Sequence, residues 1–274
     1  MPMESWVVTG PQVIEVEDVR ALRAAIVGGR VDVVGRDGPG ARIEVHRVQG
    51  RPLEVSLDGG ELRVGYAATL TGWESFLERF RNVTSSDAVD VHVAVPHDVA
   101  VTLGTVSGEG LLADVARDAS VSTVSGSLVT DGTAGTLVAN AVSGDLALRA
   151  HRGDLRVHSV SGSVTGSGAF GRAAVTTVSG AVTLDADTST GLSVKTVSGD
   201  VNVRVPRDLG LSVGARSVSG RVVVDGVERG GNGPLRGPVE VSDPDARCRL
   251  DVSTVSGHLT VLRGSVLPEP TGPS

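Results

Sequence analysis

The sequence is poor in aromatic residues and in cysteine. Two tryptophans, one tyrosine and three phenylalanines make up 2% of the 274 residues. So few rings favour a thin core of Val, Leu and Ala, and argue against the aromatic platforms that sugar-cleaving enzymes use. Cys248 is the only cysteine, which excludes an intrachain disulfide and the cysteine-cluster metal sites. We therefore expect no cofactor and no metal.

Charge and hydropathy exclude two further classes of partner. The formal net charge is −7, and Lys195 is the one lysine beside 24 arginines, so there is no electrostatic case for nucleic acid. No apolar run approaches the length of a membrane-spanning helix, so direct membrane insertion is not expected. The N-terminus, Met1 to Trp6, lacks a basic start followed by an apolar run. The sequence therefore predicts a cytoplasmic chain.

What the chain has in abundance is the tripeptide Val-Ser-Gly, which occurs eight times. The first five copies follow one another at a constant interval of about 18 residues, and the later intervals are longer. A fixed period of this size indicates a stacked repeat architecture. The copies begin at Val106, Val124, Val142, Val160, Val178, Val197, Val218 and Val255.

Apolar residues alternate with polar ones on both sides of each copy. They stand three and five residues before the valine, as in Val121 and Leu137, and four and six residues after it, as in Leu128 and Leu112. This alternation is typical of strands with one buried face. Its parity breaks between the third position before the valine and the valine itself, so the chain is expected to turn a corner at Val-Ser-Gly.

Each residue of the corner has a predicted role. Glycine can adopt positive φ without strain, and the small residue before the valine fits the inside of a bend. The repeated serine could form a ligand-binding row, but a residue on every repeat is better explained by hydroxyls that satisfy backbone groups at the corner. The predicted corner glycines are Gly108, Gly126, Gly144, Gly162, Gly180, Gly199, Gly220 and Gly257.

These patterns predict an all-β chain that forms one parallel β-solenoid, with about 18 residues per rung. Stacked rungs bury the apolar face that a single rung cannot, and the crossover preference of parallel strands favours a right-handed coil. The predicted domain spans residues 1–264, and residues 265–274 are expected to be a disordered tail.

Two segments interrupt the predicted array. Residues 66–86 contain Trp73, Phe76, Leu77 and Phe80 at the spacing of one helix face. This short helix either caps the array or docks a partner, and these four residues are the candidate docking residues. Residues 225–249 are rich in Gly, Pro and Asp, and form either a degenerate rung or a projecting loop.

Motifs with a chemical meaning are few. Residues 166–171 match the dinucleotide pattern G-x-G-x-x-G, but a strand follows where the pattern needs a helix. Six histidines are scattered over different repeats without a carboxylate set, so we expect ordinary surface histidines. No catalytic, cofactor-binding or metal-binding residue is predicted.

The Val-Ser-Gly corners, the Val-Pro-x-Asp strand ends and a Gly-x-Val-x-Val opening resemble a bacterial domain-of-unknown-function family of β-strand repeats, usually called "putative adhesin". The resemblance covers about residues 25–262. It implies a β-solenoid, placed among proteins anchored at or secreted from the cell surface. It implies no catalytic or binding residues.

Three functions are compatible with these features. The first, which we favour, is a non-enzymatic scaffold or adhesin-like binding protein that mediates protein–protein interaction as a monomer or weak homo-oligomer. The second is an enzyme on a β-helix that acts on a polysaccharide. The third is a self-polymerising cytoskeletal β-helix, which needs an uncapped terminal rung.

Overall fold

The computed structural model describes residues 3–66, 87–229 and 239–264, and every regular element in these ranges is a β-strand. Alternating Val, Leu and Ile with polar residues favours strands throughout. The strands are β1 (Glu4–Val8), β2 (Gln12–Val16), β3 (Ala21–Ile26), β4 (Gly28–Arg36), β5 (Ala41–Gln49), β6 (Leu53–Asp58), β7 (Glu61–Gly65), β8 (Ala88–Pro96), β9 (Ala100–Thr105), β10 (Glu109–Ala113), β11 (Ala119–Thr123), β12 (Leu128–Asp131), β13 (Ala134–Ala141), β14 (Leu146–Ser159), β15 (Val164–Ser179), β16 (Val182–Thr188), β17 (Gly191–Ser198), β18 (Val201–Val205), β19 (Leu211–Ser217), β20 (Val222–Val224), β21 (Val227–Arg229), β22 (Val239–Ser242), β23 (Cys248–Ser256) and β24 (Leu259–Arg263).

Hydrogen-bonded pairing arranges these strands in two stacks, which we call ladder A and ladder B. Ladder A runs β1, β6, β7, β3, β9, β11, β13, β14, β15, β17, β23, β19 and β22. Ladder B runs β2, β5, β8, β4, β10, β12, β14, β15, β16, β18, β24, β20 and β21. The long strands β14 and β15 pass from ladder B into ladder A.

In the middle of both ladders the pairing is parallel and the register follows the repeat. Val121 lies opposite Leu103 on one side and Ala139 on the other, each exactly one repeat away along the chain. Like positions are therefore stacked, which places apolar side chains from every strand on the same inner face.

The core lies between the two ladders. Every apolar position read from the alternation is buried, including Leu112, Val121, Leu128 and Leu137. These residues belong to one continuous hydrophobic cluster that extends along the described chain from Val8 to Val261. The buried faces predicted from the sequence are confirmed at these positions.

The chain is all-β, but the prediction of a single parallel β-solenoid is wrong. Six pairings are antiparallel: β1–β6, β6–β7, β2–β5, β5–β8, β19–β22 and β20–β21. They lie at the two ends of the ladders, where a parallel stack would leave a row of unpaired N–H and C=O groups. An antiparallel strand added at the end pairs with this row of backbone groups. The sheet therefore contains both parallel and antiparallel pairs of strands.

The spatial order of the strands also departs from the chain order. β4 lies between β8 and β10, and β23 lies between β17 and β19. β24 likewise lies between β18 and β20. The C-terminal strands are therefore inserted into each ladder beside strands formed earlier in the chain, whereas a simple coil would add rungs one after another.

The described parts of the two interrupting segments can now be placed. The segment at 225–249 contributes β21, an antiparallel partner of β20 in ladder B, and β22, an antiparallel partner of β19 in ladder A. These described parts of the segment therefore pair with one end strand of each ladder. The proposed helix at 66–86 and the proposed tail at 265–274 lie outside the described residues, Tyr66 excepted.

Tyr66 and Asp87, which flank residues 67–86, are linked through Arg51. The backbone N–H and the guanidinium of Arg51 donate to the buried carboxylate of Asp87 at 3.0 and 2.7 Å. The same guanidinium lies 5.1 Å from the centre of the Tyr66 ring, within cation–π range. These contacts hold the two ends of the segment to the N-terminal part of the fold.

Candidate interaction surface

The alternation of inward and outward side chains continues closer to the corner than the sequence analysis predicted. In ladder A, the inward positions are five, three and one residues before each Val-Ser-Gly valine, so the small residue before it is buried, as Thr105, Thr123 and Thr177 are. Thr123 Oγ1 donates within its own corner to the Gly126 carbonyl at 2.9 Å, whereas Thr105 Oγ1 donates to Thr123 Oγ1 of the next repeat at 3.1 Å. The valine that follows must therefore face outward.

Five of these outward valines form an exposed row on consecutive strands, which we call the valine stripe. Val160, Val178, Val197 and Val255 are each about half exposed (49–50%), and Val218 is 75% exposed. They lie on or directly after β14, β15, β17, β23 and β19, which are neighbours in that order. At about 4.8 Å per strand the stripe is about 19 Å long.

The valine stripe is an unusual surface for its position. Elsewhere in the described chain the large exposed apolar residues (Met3, Val7, Val13, Val227 and Leu262) do not form such a row and lie on or next to β1, β2, β21 and β24. An apolar row that continues over five successive strands is a feature of interaction sites rather than of free surface.

The serine row beside the stripe is structural. The hydroxyl and the backbone N–H of Ser125 both donate to the carbonyl oxygen of Val106, at 3.0 and 2.8 Å. The same pair of hydrogen bonds, in each case to the carbonyl oxygen of a valine in the neighbouring repeat, is made by Ser107, Ser143, Ser161, Ser179 and Ser219. These serines therefore join one corner to the next and are not free to act as a catalytic row.

The corner glycines are needed because neighbouring backbones approach closely. A Cβ on Gly144 would lie 1.9 Å from the carbonyl oxygen of Gly126, and one on Gly126 would lie 1.8 Å from that of Gly108. Positive φ, the reason expected from sequence, applies to three of the eight: Gly162, Gly180 and Gly199. The remaining predicted corner glycines share the close approach to a glycine of the next strand: Gly108, Gly220 and Gly257.

A cavity of about 350 Å³ lies on the outer face of ladder A, on four of the five strands that carry the stripe. Two columns of outward residues line it. The first column is Arg172, Gly191 and Arg249; the second is Arg156, Ala174, Ser193 and Asp251. Small residues lie in the middle and charged residues lie around them.

Basic residues outnumber acidic ones around this cavity. The charged residues that line it are three arginines, Arg156, Arg172 and Arg249, and two aspartates, Asp154 and Asp251. Arg249 donates to Asp251 at 2.8 and 3.2 Å, and this hydrogen bond raises the pKa of the guanidinium. Three basic against two acidic groups leave an excess of positive charge in the lining, opposite in sign to the net charge of −7.

A second cluster of charge, at the far end of the fold, consists of one arginine that bridges two carboxylates. The Arg263 guanidinium bonds to Asp225 and, at 2.8 Å, to Asp243. The hydrogen bond from Arg263 lowers the pKa of Asp225, and the backbone N–H of Leu211 and then Arg263 lower the pKa of Asp243. This cluster ties β24 to both antiparallel end strands and has a structural role.

The residues that the sequence suggested for partner docking, Trp73, Phe76, Leu77 and Phe80, lie outside the described residues. The structure therefore neither joins them to the valine stripe nor separates them from it. The stripe itself was not recognised in the sequence. It can be predicted from the sequence, because the small residue before each valine continues the alternation at an inward position. The valine that follows it therefore faces outward.

His151 is the second feature that sequence reasoning missed. Its side chain is fully buried where β14 passes between ladders, and its Nδ1 and Nε2 lie 3.0 and 3.2 Å from Thr133 Oγ1 and the Asp154 carbonyl oxygen. Burial lowers its pKa, although the hydrogen bonds to Asp154 and Thr133 oppose the shift. Aligning the repeats would place His151 at the same position as the buried Val115 and Thr133 of the two preceding repeats, which is the missed signal.

Other chemical motifs do not form sites. Residues 166–171 lie inside strand β15, with no helix to receive a pyrophosphate. Within residues 3–66, 87–229 and 239–264, no group of three or more His, Cys, Asp or Glu side chains is placed to hold a metal ion. The same ranges contain no helix with the length and hydropathy needed to cross a bilayer.

Solved structures that resemble the chain share little sequence with it. A "putative adhesin" of Parabacteroides distasonis ATCC 8503 is 9% identical over 92% of this chain and 97% of its own, with a TM-score of 0.48. A "putative lipid binding protein" of the same strain is 11% identical over 93% and 97%, with a TM-score of 0.45. A "putative adhesin" of Bacteroides fragilis NCTC 9343 is 14% identical over 93% and 100%, with a TM-score of 0.38.

A comparison with protein families assigns the chain more clearly than the comparison with solved structures does. No curated protein matches the chain. The family described as Toastrack DUF4097 matches residues 27–262, which is most of the sequence and nearly the range over which the repeat resembles the "putative adhesin" family. The chain therefore belongs to the Toastrack DUF4097 family, and the family resemblance seen in the sequence is confirmed.

Proposed function

We propose that the chain is a non-enzymatic binding protein whose partner is a protein that covers the valine stripe. The observation that carries this proposal is the row of five exposed valines on consecutive strands of one hydrogen-bonded face. Exposed apolar rows that are fixed in place lose little conformational entropy on binding, which favours a docking function.

The chemistry of the rest of the surface supports a binding role over catalysis. The repeated serines are bonded to backbone carbonyls. Among the described residues the one fully buried histidine is His151, whose two ring nitrogens are bonded to Thr133 and to the Asp154 carbonyl inside the fold. The antiparallel strands at both ends of the ladders also argue against end-to-end growth by parallel stacking.

The proposal is tested by removing the apolar row without disturbing the core. Val178→Ser with Val197→Ser replaces two half-exposed side chains, and Val7→Ser with Val13→Ser is the matched control at exposed valines on the end strands β1 and β2. Tagged wild-type and variant proteins are used to capture partners from the host lysate, and the stoichiometric partner is quantified by mass spectrometry.

We expect the stripe variant to retain about tenfold less partner than the wild type, since burying the exposed halves of two valines contributes about 1–2 kcal/mol to binding. The control should retain the wild-type amount. Equal retention by the stripe variant and the wild type would contradict the proposal. Thermal unfolding of both variants checks that the change is not a loss of folding.

A further inference from the structure

The cavity on the outer face of ladder A has a definite internal arrangement. Its centre consists of Ala174, Gly191 and Ser193, whose small side chains leave the floor open. A Cβ on Gly191 would meet nothing closer than the Arg249 carbonyl oxygen at 3.9 Å, so the space above this glycine is free. A ligand group can therefore reach the backbone level between the charged residues at the rim.

Both carboxylates at the rim already have partners. Asp154 Oδ1 accepts the backbone N–H of Arg172 at 3.0 Å, and Asp251 accepts both hydrogen bonds from Arg249. The guanidinium groups of Arg156 and Arg172, in contrast, make no hydrogen bond or ion pair with any residue that the structure describes. The charge left available in the cavity is therefore positive.

The spacing of the arginines suits one anionic group. Arg156 lies opposite Ala174 on the neighbouring strand, and Arg172 stands two residues before Ala174, so the two arginines form a diagonal pair about 8 Å apart. Arginine side chains are long enough to converge from these positions on one group above Ala174 and Gly191, and the Ser193 hydroxyl lies in the second column. Guanidinium groups bind carboxylate oxygens in pairs, which makes such a position specific as well as attractive.

The neighbouring surface determines which kind of molecule carries the anionic group. Along each strand the cavity is followed first by residues such as His158 and Lys195, and then by the valine stripe, about 13–20 Å away. Only a ligand that presents acidic and apolar groups together matches this sequence of surfaces. A protein segment does so, whereas an acidic polysaccharide has no apolar group for the valines, and these four strands expose no Trp, Tyr or Phe ring on which a sugar could stack.

We propose that this cavity binds a carboxylate of an acidic protein segment, with Arg156 and Arg172 as the residues that recognise it. The segment is part of the same partner that covers the valine stripe, so this inference rests on the proposed function. Specificity for an acidic partner is then determined by the arginines, and apolar contact area by the valines.

The test uses defined peptides as probes. A short fluorescent peptide of alternating glutamate and valine is titrated with the full chain, and the change in anisotropy gives its affinity. The same peptide with lysine in place of glutamate controls for charge, and polygalacturonate, a carboxylated polysaccharide, is used as a competitor. We expect the glutamate peptide to bind, the lysine peptide to bind at least about tenfold more weakly, and added salt to reduce binding.

Two double variants with the same change in net charge separate the site from the general field. Arg156→Gln with Arg172→Gln alters the cavity, whereas Arg149→Gln with Arg221→Gln removes two exposed arginines from the outer face of ladder B. We expect the first to weaken peptide binding by about tenfold or more and the second by less than about twofold. Equal effects of the two variants, or equal affinity for both peptides, would overturn the proposal.

Competition identifies the class of ligand. Displacement of the peptide by polygalacturonate at lower concentrations than by unlabelled peptide would overturn the assignment to a protein segment. The captured partner distinguishes this inference from the proposed function. If the valine variant releases the partner and the Arg156 and Arg172 variant keeps it, the proposed function stands and this inference fails; if both variants keep it, both fail.

Discussion

Ser125 is bonded twice to Val106, through its backbone N–H at 2.8 Å and through its hydroxyl at 3.0 Å, so one carbonyl oxygen accepts two hydrogen bonds across the corner. Because the same pair recurs along ladder A, each corner is tied to the next by one main-chain and one side-chain bond. The repeated tripeptide therefore joins neighbouring corners through hydrogen bonds, and its valine side chain faces outward.

The serine row should contribute measurably to stability. Replacing Ser125, Ser143 and Ser161 by Ala removes three hydroxyl bonds and keeps the main-chain bonds. We expect the free energy of unfolding to fall by about 2 kcal/mol in total, since partly exposed hydrogen bonds contribute at the lower end of the usual range. Urea unfolding measures the change. Ser127→Ala, at an exposed serine beside the same corner, is the control and should change little; the same loss in both would contradict the assigned role.

The glycine row should tolerate no side chain where the backbones touch. In Gly144→Ala the new Cβ would lie 1.9 Å from the Gly126 carbonyl oxygen, so the corners must separate. We expect a loss of about 2–3 kcal/mol, comparable to overpacking of a core. Thermal unfolding of Gly144→Ala is compared with that of Gly10→Ala, where nothing lies within 4 Å. An unchanged midpoint for Gly144→Ala would show that the two corners are farther apart than described.

His151 should make the fold sensitive to mild acid. Its pKa is lowered mainly by burial, so the folded state binds a proton less readily than the unfolded chain, whose histidines titrate near pH 6.5. Its contribution to stability is therefore complete above about pH 6.5 and is lost as the pH falls toward the folded-state pKa. Urea unfolding between about pH 7.5 and pH 5.5 measures the slope.

The variant His151→Gln removes this titration and should flatten the dependence of stability on pH. The exposed His158→Gln is the matched control and should keep the wild-type slope. If His151→Gln kept the slope and His158→Gln removed it, the buried histidine would not be the group that responds.

Cys248 should be inert in the folded protein. The thiol is buried, and burial raises its pKa, which disfavours the reactive thiolate. We expect a thiol reagent such as maleimide to modify the wild-type chain only on the timescale of unfolding, and rapidly in urea. Rapid modification under native conditions would show that β23 opens locally in ladder A.

The features predicted best from the sequence are those that depend on a few neighbouring residues. Alternation around residues such as Val121 and Leu128 identified the buried faces, because a strand has a period of two wherever one face is covered. The constant length of the repeat likewise specified the register in the middle of the ladders. Both features depend on short stretches of chain that carry the same pattern in every copy.

The ends of the ladders and the order of strands could not be read in this way. The residues of β23 do not specify that it pairs with β17 and β19, because any strand with the same apolar pattern offers the same backbone N–H and C=O groups. The reversal of β5, β6, β21 and β22 similarly depends on open edges that exist only after the stack has formed. The outward valines, in contrast, could have been predicted by following the inward parity through Thr105 and Thr123.

The single buried cysteine makes a direct test of the binding surface possible. Val178→Cys places one accessible thiol in the valine stripe, and Thr165→Cys places one on the same strand β15 but on the outer face of ladder B. The rate of maleimide modification of each variant is measured with and without the partner captured from the host. We expect the partner to slow modification of Val178→Cys by about tenfold or more and to leave Thr165→Cys unchanged. Equal rates for Val178→Cys with and without the partner would contradict it.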